Sequence, residues 1–212
     1  AAFATRNPAI NELYSQGLHQ GVSGIEEGNS ELITESVIKG NISSAIRLSK
    51  TLYLNSTLYS QNFQNYIYLQ PQKEVRLTIR GAFPLFIYEQ TDAQIFGANL
   101  GLVYEVHNNL KSEFKYSYIK GLDISKNISL INIPSNQLNG DILYERSKFL
   151  KVGNKKIHRL QFKWLNKYVF QQSDITADQD FVLPPDAYYL MGVKLSGEIQ
   201  IAQQRWRVVL KG

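Results

Sequence analysis

Hydrophobic and polar residues alternate along most of this chain with a period of two, the pattern of strands with one apolar and one polar face. From Gln94 to Val106 one face carries Phe96, Ala98, Leu100, Leu102, Tyr104 and Val106, and the other carries Ile95, Asn99, Val103 and Glu105 among glycines. Leu110 to Lys120 repeats the pattern, with Phe114, Tyr116 and Tyr118 opposing Lys111, Glu113 and Lys115. From Lys156 to Phe170, Leu160, Phe162, Trp164, Tyr168 and Phe170 oppose Arg159, Gln161, Lys163 and Lys167. Tyr189, Met191, Val193, Leu195, Ile199 and Ile201 then oppose Lys194, Ser196, Glu198 and Gln200. These runs far exceed the five or six residues usual for globular strands. They suit the 9 to 11 residues of a tilted membrane strand, with an excess that projects beyond the bilayer.

The connections sharpen the expectation. Short turns are predicted at Ser49-Lys50, His107-Asn108-Asn109, Phe149 to Lys155 and Ala202-Gln203. Long polar connections are predicted at Asn7 to Ile33, Leu69 to Gln90, Lys120 to Ser135 and Gln171 to Asp186. The two kinds alternate strictly, as in outer-membrane barrels with short turns on one side and long loops on the other. The predicted fold class is all-β: an antiparallel meander of about nine long strands, forming part of a transmembrane β-barrel. An open sheet cannot sit in a bilayer with unpaired edge groups, so the meander is expected to be a piece of a larger barrel.

Composition narrows the classes further. Hydrophobic residues make up 43% and aromatics 12%, too rich for a disordered chain. Charged residues are only 19%, and mean hydropathy is −0.26. No apolar run approaches a transmembrane helix. Zero cysteines exclude disulfides, thiolate metal sites and cysteine nucleophiles. The net charge is +5, but the basic residues are scattered, and the densest cluster is Lys151, Lys155, Lys156 and Arg159; nucleic acid is not an expected partner. No signal peptide is evident, and the opening Ala1-Ala2-Phe3-Ala4 reads as the tail of a strand.

Specific segments then carry a family resemblance. Asn7-Pro8-Ala9-Ile10-Asn11-Glu12-Leu13-Tyr14-Ser15-Gln16-Gly17-Leu18-His19, followed by Glu27-Gly28-Asn29-Ser30-Glu31-Leu32, resembles the run entering and leaving a long external loop of TonB-dependent outer-membrane receptors. Asn65-Tyr66-Ile67-Tyr68-Leu69-Gln70-Pro71, Tyr88 to Gly97, Tyr116 to Gly121 and Ile133-Pro134 are similar to later segments of that family, in the same order. The resemblance covers nearly the whole chain. It implies a 22-stranded barrel plugged by a separate N-terminal domain, with these nine strands as the thirteenth to the twenty-first. The plug, the segment contacting the TonB complex, the first strands and the closing strand would lie outside the chain, and Lys211-Gly212 replaces the usual terminal aromatic.

Candidate chemistry follows from both readings. His19 lies on the first long connection near Glu12, Glu26 and Glu27, and imidazole with carboxylates is a borderline-metal set; the alternative is an ordinary loop residue. The loop motif is also similar to that of the zinc-uptake subgroup of the family. Asn99, Glu105, Lys111, Glu113, Lys115, Gln161, Lys163 and Lys167 could line a substrate path, or simply form a solvated lumen wall against a plug. Phe96, Leu100, Leu102, Tyr104, Phe114, Tyr116, Tyr118, Phe162 and Trp164 are read as lipid-facing surface and interfacial girdle. His107 and His158 read as solvated or interfacial residues. No catalytic motif is present, and Asp174, Asp178 and Asp180 lack the remaining ligands of a calcium loop. No cofactor is expected. The implied function is TonB-energised uptake of a metal ion or metal chelate (zinc, siderophore or haem), with outer-membrane lipid and the TonB complex as partners. The rival is a soluble secreted carbohydrate-binding sandwich, whose aromatic faces would be buried.

Overall fold

A computed structural model of the chain describes residues 1–19, 24–146, 150–152, 155–175, 183–201 and 204–212. In chain order the elements are β1 (Ala2–Arg6), α1 (Ile10–Tyr14), β2 (Gln16–His19), β3 (Gly24–Glu27), β4 (Glu35–Arg47), β5 (Leu52–Thr78), β6 (Gly81–His107), β7 (Leu110–Asp123), β8 (Ile128–Ser129), β9 (Gln137–Arg146), β10 (Leu150–Val152), β11 (Lys155–Val169), β12 (Tyr188–Ile201) and β13 (Gln204–Lys211). Nine of the strands form one antiparallel path, β1-β4-β5-β6-β7-β9-β11-β12-β13, and the short β2, β3, β8 and β10 pair alongside it. The nine long strands and their order match the meander expected from the alternation.

Register aligns the apolar positions across the sheet. Leu102 lies opposite Phe114 and Leu100 opposite Tyr116. Leu138 continues the second row, since it faces Tyr116 on one side and Tyr168 on the other. Trp164 joins Ile142 to Val193, and Phe162 joins Tyr144 to Leu195. A one-residue slip in any pair would turn its apolar set to the polar face, so the matched rows fix the register. β4 extends the same face through Ile38, Ile42 and Ile46, although Gly40 and Ser44 dilute the alternation there.

No second sheet packs on this surface among the described residues, and many of its large side chains are exposed: Ile42 at 75%, Met191 at 66% and Phe114 at 50%. A sandwich would bury these residues; here they form an uncovered apolar band. The buried hydrophobic residues gather elsewhere, mostly beyond one end of the sheet: Ile25, Leu32, Ile67, Leu85, Ala93 and Leu130 lie where the long connections pack together.

One long connection differs from expectation. Residues 69–90, predicted as a polar loop, are strand: β5 and β6 continue as a ladder to a turn at Ile79-Arg80 closed by Thr78 opposite Gly81. Gly81 has φ of 132°, a conformation open to glycine alone at little cost. Two register shifts bend this hairpin, between Phe63 and Tyr66 and between Pro71 and Val75. Pro71 has no N–H for the ladder, which suits a bulge. The polarity of Gln70, Gln72, Lys73, Glu74 and Arg76 reflects their place on β5, where no residue beyond Ile67 is buried, so it does not exclude strand.

The first long connection is also structured. α1 and the β2–β3 hairpin fold back onto the extension, and β3 pairs parallel with β6, Ile25 opposite Leu85 and Glu27 opposite Ile87. An ion pair between Arg76 and Glu27 ties β3 to β5, the other strand of the extension.

Candidate transport wall and external loops

The polar face opposite the apolar band is a ladder of paired charges. Glu105 and Lys111 face each other across β6 and β7, their charged groups 2.7 Å apart. Glu113 pairs with Lys115 along β7 at 2.8 Å. Asp141 on β9 holds Lys163 of β11 at 2.7 Å, and this pair is the most enclosed of the three, with side-chain exposures of 17% and 29%. Gln161 donates to Glu145 at 2.7 Å and accepts from the Ser196 hydroxyl at 3.2 Å. Asn99 sits between Thr57 and Ser117 on the same face. Lys167 lies opposite Asn139 and Leu190.

Thus Asn99, Glu105, Lys111, Glu113, Lys115, Gln161, Lys163 and Lys167 share one face. Phe96, Leu100, Leu102, Tyr104, Phe114, Tyr116, Tyr118, Phe162 and Trp164 share the other. The rings of Phe96 and Tyr118 lie 6.4 Å apart, and Tyr116 meets Phe170 edge-on at 6.2 Å.

Beyond the sheet, ionic and polar contacts join the long connections. Arg6 bridges Glu12 at 2.8 Å and Glu35 at 3.1 Å, and Glu12 also accepts from the Ala9 N–H. Glu35 accepts from the backbone N–H of Ile67 at 2.9 Å. Asn11 donates to the Tyr88 hydroxyl, which donates to Glu26, each at 3.4 Å. Burial first, then the Glu26 carboxylate, pushes the Tyr88 phenol above its ordinary range. Lys126 donates to the Tyr68 hydroxyl at 2.8 Å and to Glu89 at 3.1 Å. Burial pulls its ammonium down, but these two partners outweigh it and hold Lys126 above its ordinary value. Thr91 donates to Asp123 at 2.7 Å in the buried base of this cluster.

The expected metal set falls on this region. Glu12 is occupied by Arg6, and the buried Glu26 by Tyr88. His19 ends β2 opposite Gly24, and its side chain lies outside the described residues. Among the described residues no group of three or more histidines and carboxylates is arranged to hold a metal ion. Asp174 pairs with Lys120 at 3.1 Å, whereas Asp178 and Asp180 lie outside the described residues. Sequence reading missed the Lys126–Tyr68–Glu89 cluster, since its members come from three separate stretches that only the hairpin brings together.

No protein-family model matches the sequence, and no curated protein does either. Solved structures match in fold. The copper transporter OprC aligns over 99% of this chain and 29% of its own, with 18% identity and a TM-score of 0.69. A mutant of the ferric enterobactin receptor PfeA from Pseudomonas aeruginosa aligns over 95% of this chain and 30% of its own, with 16% identity and a TM-score of 0.58. The siderophore receptor PirA from Pseudomonas aeruginosa aligns over 98% and 37%, with 14% identity and a TM-score of 0.57. The chain thus spans well under half the length of each. Its meander of nine long antiparallel strands is the fold of part of an outer-membrane β-barrel.

Proposed function

We propose that this chain is a segment of the barrel wall, with its external loops, of a TonB-dependent receptor in the outer membrane of a Gram-negative bacterium. The receptor takes up a metal ion or metal chelate. The observation that carries the reading is the uncovered apolar band backed by a charged ladder. In a bilayer the band meets lipid, the ladder meets the lumen, and the strand hydrogen bonds are internal once the outer edges of β1 and β13 pair with the rest of the barrel. The OprC, PfeA and PirA likenesses favour a metal-related cargo over other solutes. Contact with the TonB complex belongs to parts of the receptor outside this chain. Phe96, Leu100, Leu102, Tyr104, Phe114, Tyr116, Tyr118, Phe162 and Trp164 are the lipid-facing residues in this reading. Asn99, Glu105, Lys111, Glu113, Gln161 and Lys163 line the lumen. His19, with Glu12 and Glu26, contributes to cargo capture at the external loops.

The test is cellular metal content with and without the intact parent receptor, under separate limitation of copper, iron and zinc. A His19→Ala receptor runs in parallel. Loss of one metal on deletion supports uptake and names the cargo, and the same loss in His19→Ala assigns the external loop. Unchanged contents of all three would sink the metal reading.

A further inference from the structure

The charge balance of the polar face changes across the sheet. On β6, β7 and β9 the bases named above have acidic partners. On β11, β12 and β13 they accumulate. Lys163 lies opposite Lys194, and Lys194 opposite Lys211, so three ammonium-bearing positions form one row on neighbouring strands. Like charges placed directly opposite are unfavourable. Lys163 is neutralised by Asp141, but among the described residues neither Lys194 nor Lys211 has an acidic partner.

Toward the short turns the row continues into a cleft. An open cavity of about 440 Å³ is lined by His158, Arg159, Glu198, Arg205, Trp206 and Arg207. Its single carboxylate, Glu198, lies opposite Arg207 and 3.6 Å from Arg159, against three guanidiniums. Arg159 also has an unusual backbone. It takes φ of 48°, in the left-handed region, at the register shift between His158 and Gln161. Such bulges re-aim a side chain, and non-glycine residues in this region gather at ligand clamps. The bulge puts His158 level with Glu198 and leaves Arg159 as the extra residue beside the cleft.

We propose that this end of the polar face is an anion-binding site for a small polycarboxylate, gripped by Arg159, Arg205 and Arg207 in the cleft, with Lys194 and Lys211 four residues further along the strands drawing it in by their charge. Guanidinium forks match carboxylates bidentately, and the lysines add point charges along the same path. The inference rests on reading this face as a lumen wall and deepens it. A surplus of positive charge repels a bare metal cation and favours a cargo whose organic shell is anionic.

The experiment uses the intact parent receptor in detergent, titrated calorimetrically with citrate as the probe at low and raised salt. Citrate should bind, weaken as salt rises, and weaken at least tenfold in Arg205→Gln/Arg207→Gln and by a smaller, salt-sensitive factor in Lys194→Gln/Lys211→Gln. Lys194→Arg/Lys211→Arg should retain binding, which separates lost charge from misfolding. Absent binding, or parental affinity in Arg205→Gln/Arg207→Gln, would overturn the site. So would zero-length carbodiimide cross-linking of Lys194 to a carboxylate of the receptor itself, which gives the face to a protein segment. A spin label at Asn99→Cys in vesicles separates the two readings. Relaxation dominated by a water-soluble nickel chelate keeps the lumen wall, so a failed titration then removes the anion site alone. Relaxation dominated by oxygen removes the wall and the site together.

Discussion

The ammonium of Lys126 sits 2.8 Å from the hydroxyl of Tyr68, 58 positions earlier in the chain, in line with the ring's C–O bond and 5.6 Å from the ring centre. One side chain thereby fastens the connection after β7 to the projecting β5–β6 hairpin, with Glu89 closing the triangle. Replacing it with Lys126→Met should loosen that connection without touching the wall. The groups are partly exposed, so the loss of the ion pair and hydrogen bond should be modest, about 0.5–1 kcal/mol. Hydrogen exchange over 123–130 should speed up by several-fold, while 98–104 keeps its protection.

The same tie should be stable to alkali and then fail. Lys126 is held above its ordinary value of 10.5. A base whose folded value is raised contributes fully below the unfolded value, and the contribution is lost as pH rises through the folded one. Spin labels at Ile124→Cys and Lys73→Cys should therefore report one short distance from neutral pH to about pH 10. The distance distribution should broaden only above that. In Lys126→Met it should be broad throughout.

Gly28 is closed to any larger residue. A Cβ there would lie 2.5 Å from the carbonyl carbon of Leu13 and 2.5 Å from the backbone nitrogen of Tyr14. Backbone cannot yield as a side-chain tip can, so Gly28→Ala must shift α1 off the returning chain, at about 1–3 kcal/mol. Protease should then cut within 7–33 at concentrations the parent resists. Gly40→Ala, whose Cβ meets nothing within 4 Å, should behave as the parent does.

Adjacent residues should respond oppositely to the same charge. Leu100→Arg places a guanidinium in the middle of the apolar band and should cost about 2–4 kcal/mol in a bilayer. Asn99→Arg, one position away on the polar face, should cost less than about 1 kcal/mol. Equilibrium unfolding of the intact receptor in lipid vesicles measures both. Equal costs would mean that the two faces meet the same surroundings.

The wall was readable because its environment imposes a rule at every second residue. Phe96 to Val106 and Tyr189 to Ile201 alternate, since each step along a strand moves a side chain between the apolar band and the charged face. The β5–β6 extension escaped because it follows no such rule: Val75 and Leu77 are as exposed as their polar neighbours, so Gln70 to Arg80 looks like loop. β3 escaped for another reason. Its partner β6 runs parallel to it from a distant stretch, and nothing local encodes that choice. The candidate site divides the same way. The face assignments of Glu105, Lys111, Gln161 and Lys163 follow from parity, whereas the row of Lys163, Lys194 and Lys211 depends on two registers that no single strand specifies.

The β5–β6 hairpin has a consequence for what meets the cell first. From Gln94 to Gly81 the strand runs on for about 40 Å at a strand's rise per residue. Its tip is unshielded, with Leu77 and Ile79 almost wholly exposed. With the wall set in a membrane, a ladder of that length would carry Ile79 clear of the lipid headgroups, further out than the rest of these strands. The hairpin is therefore the natural handle by which to grasp this segment from outside.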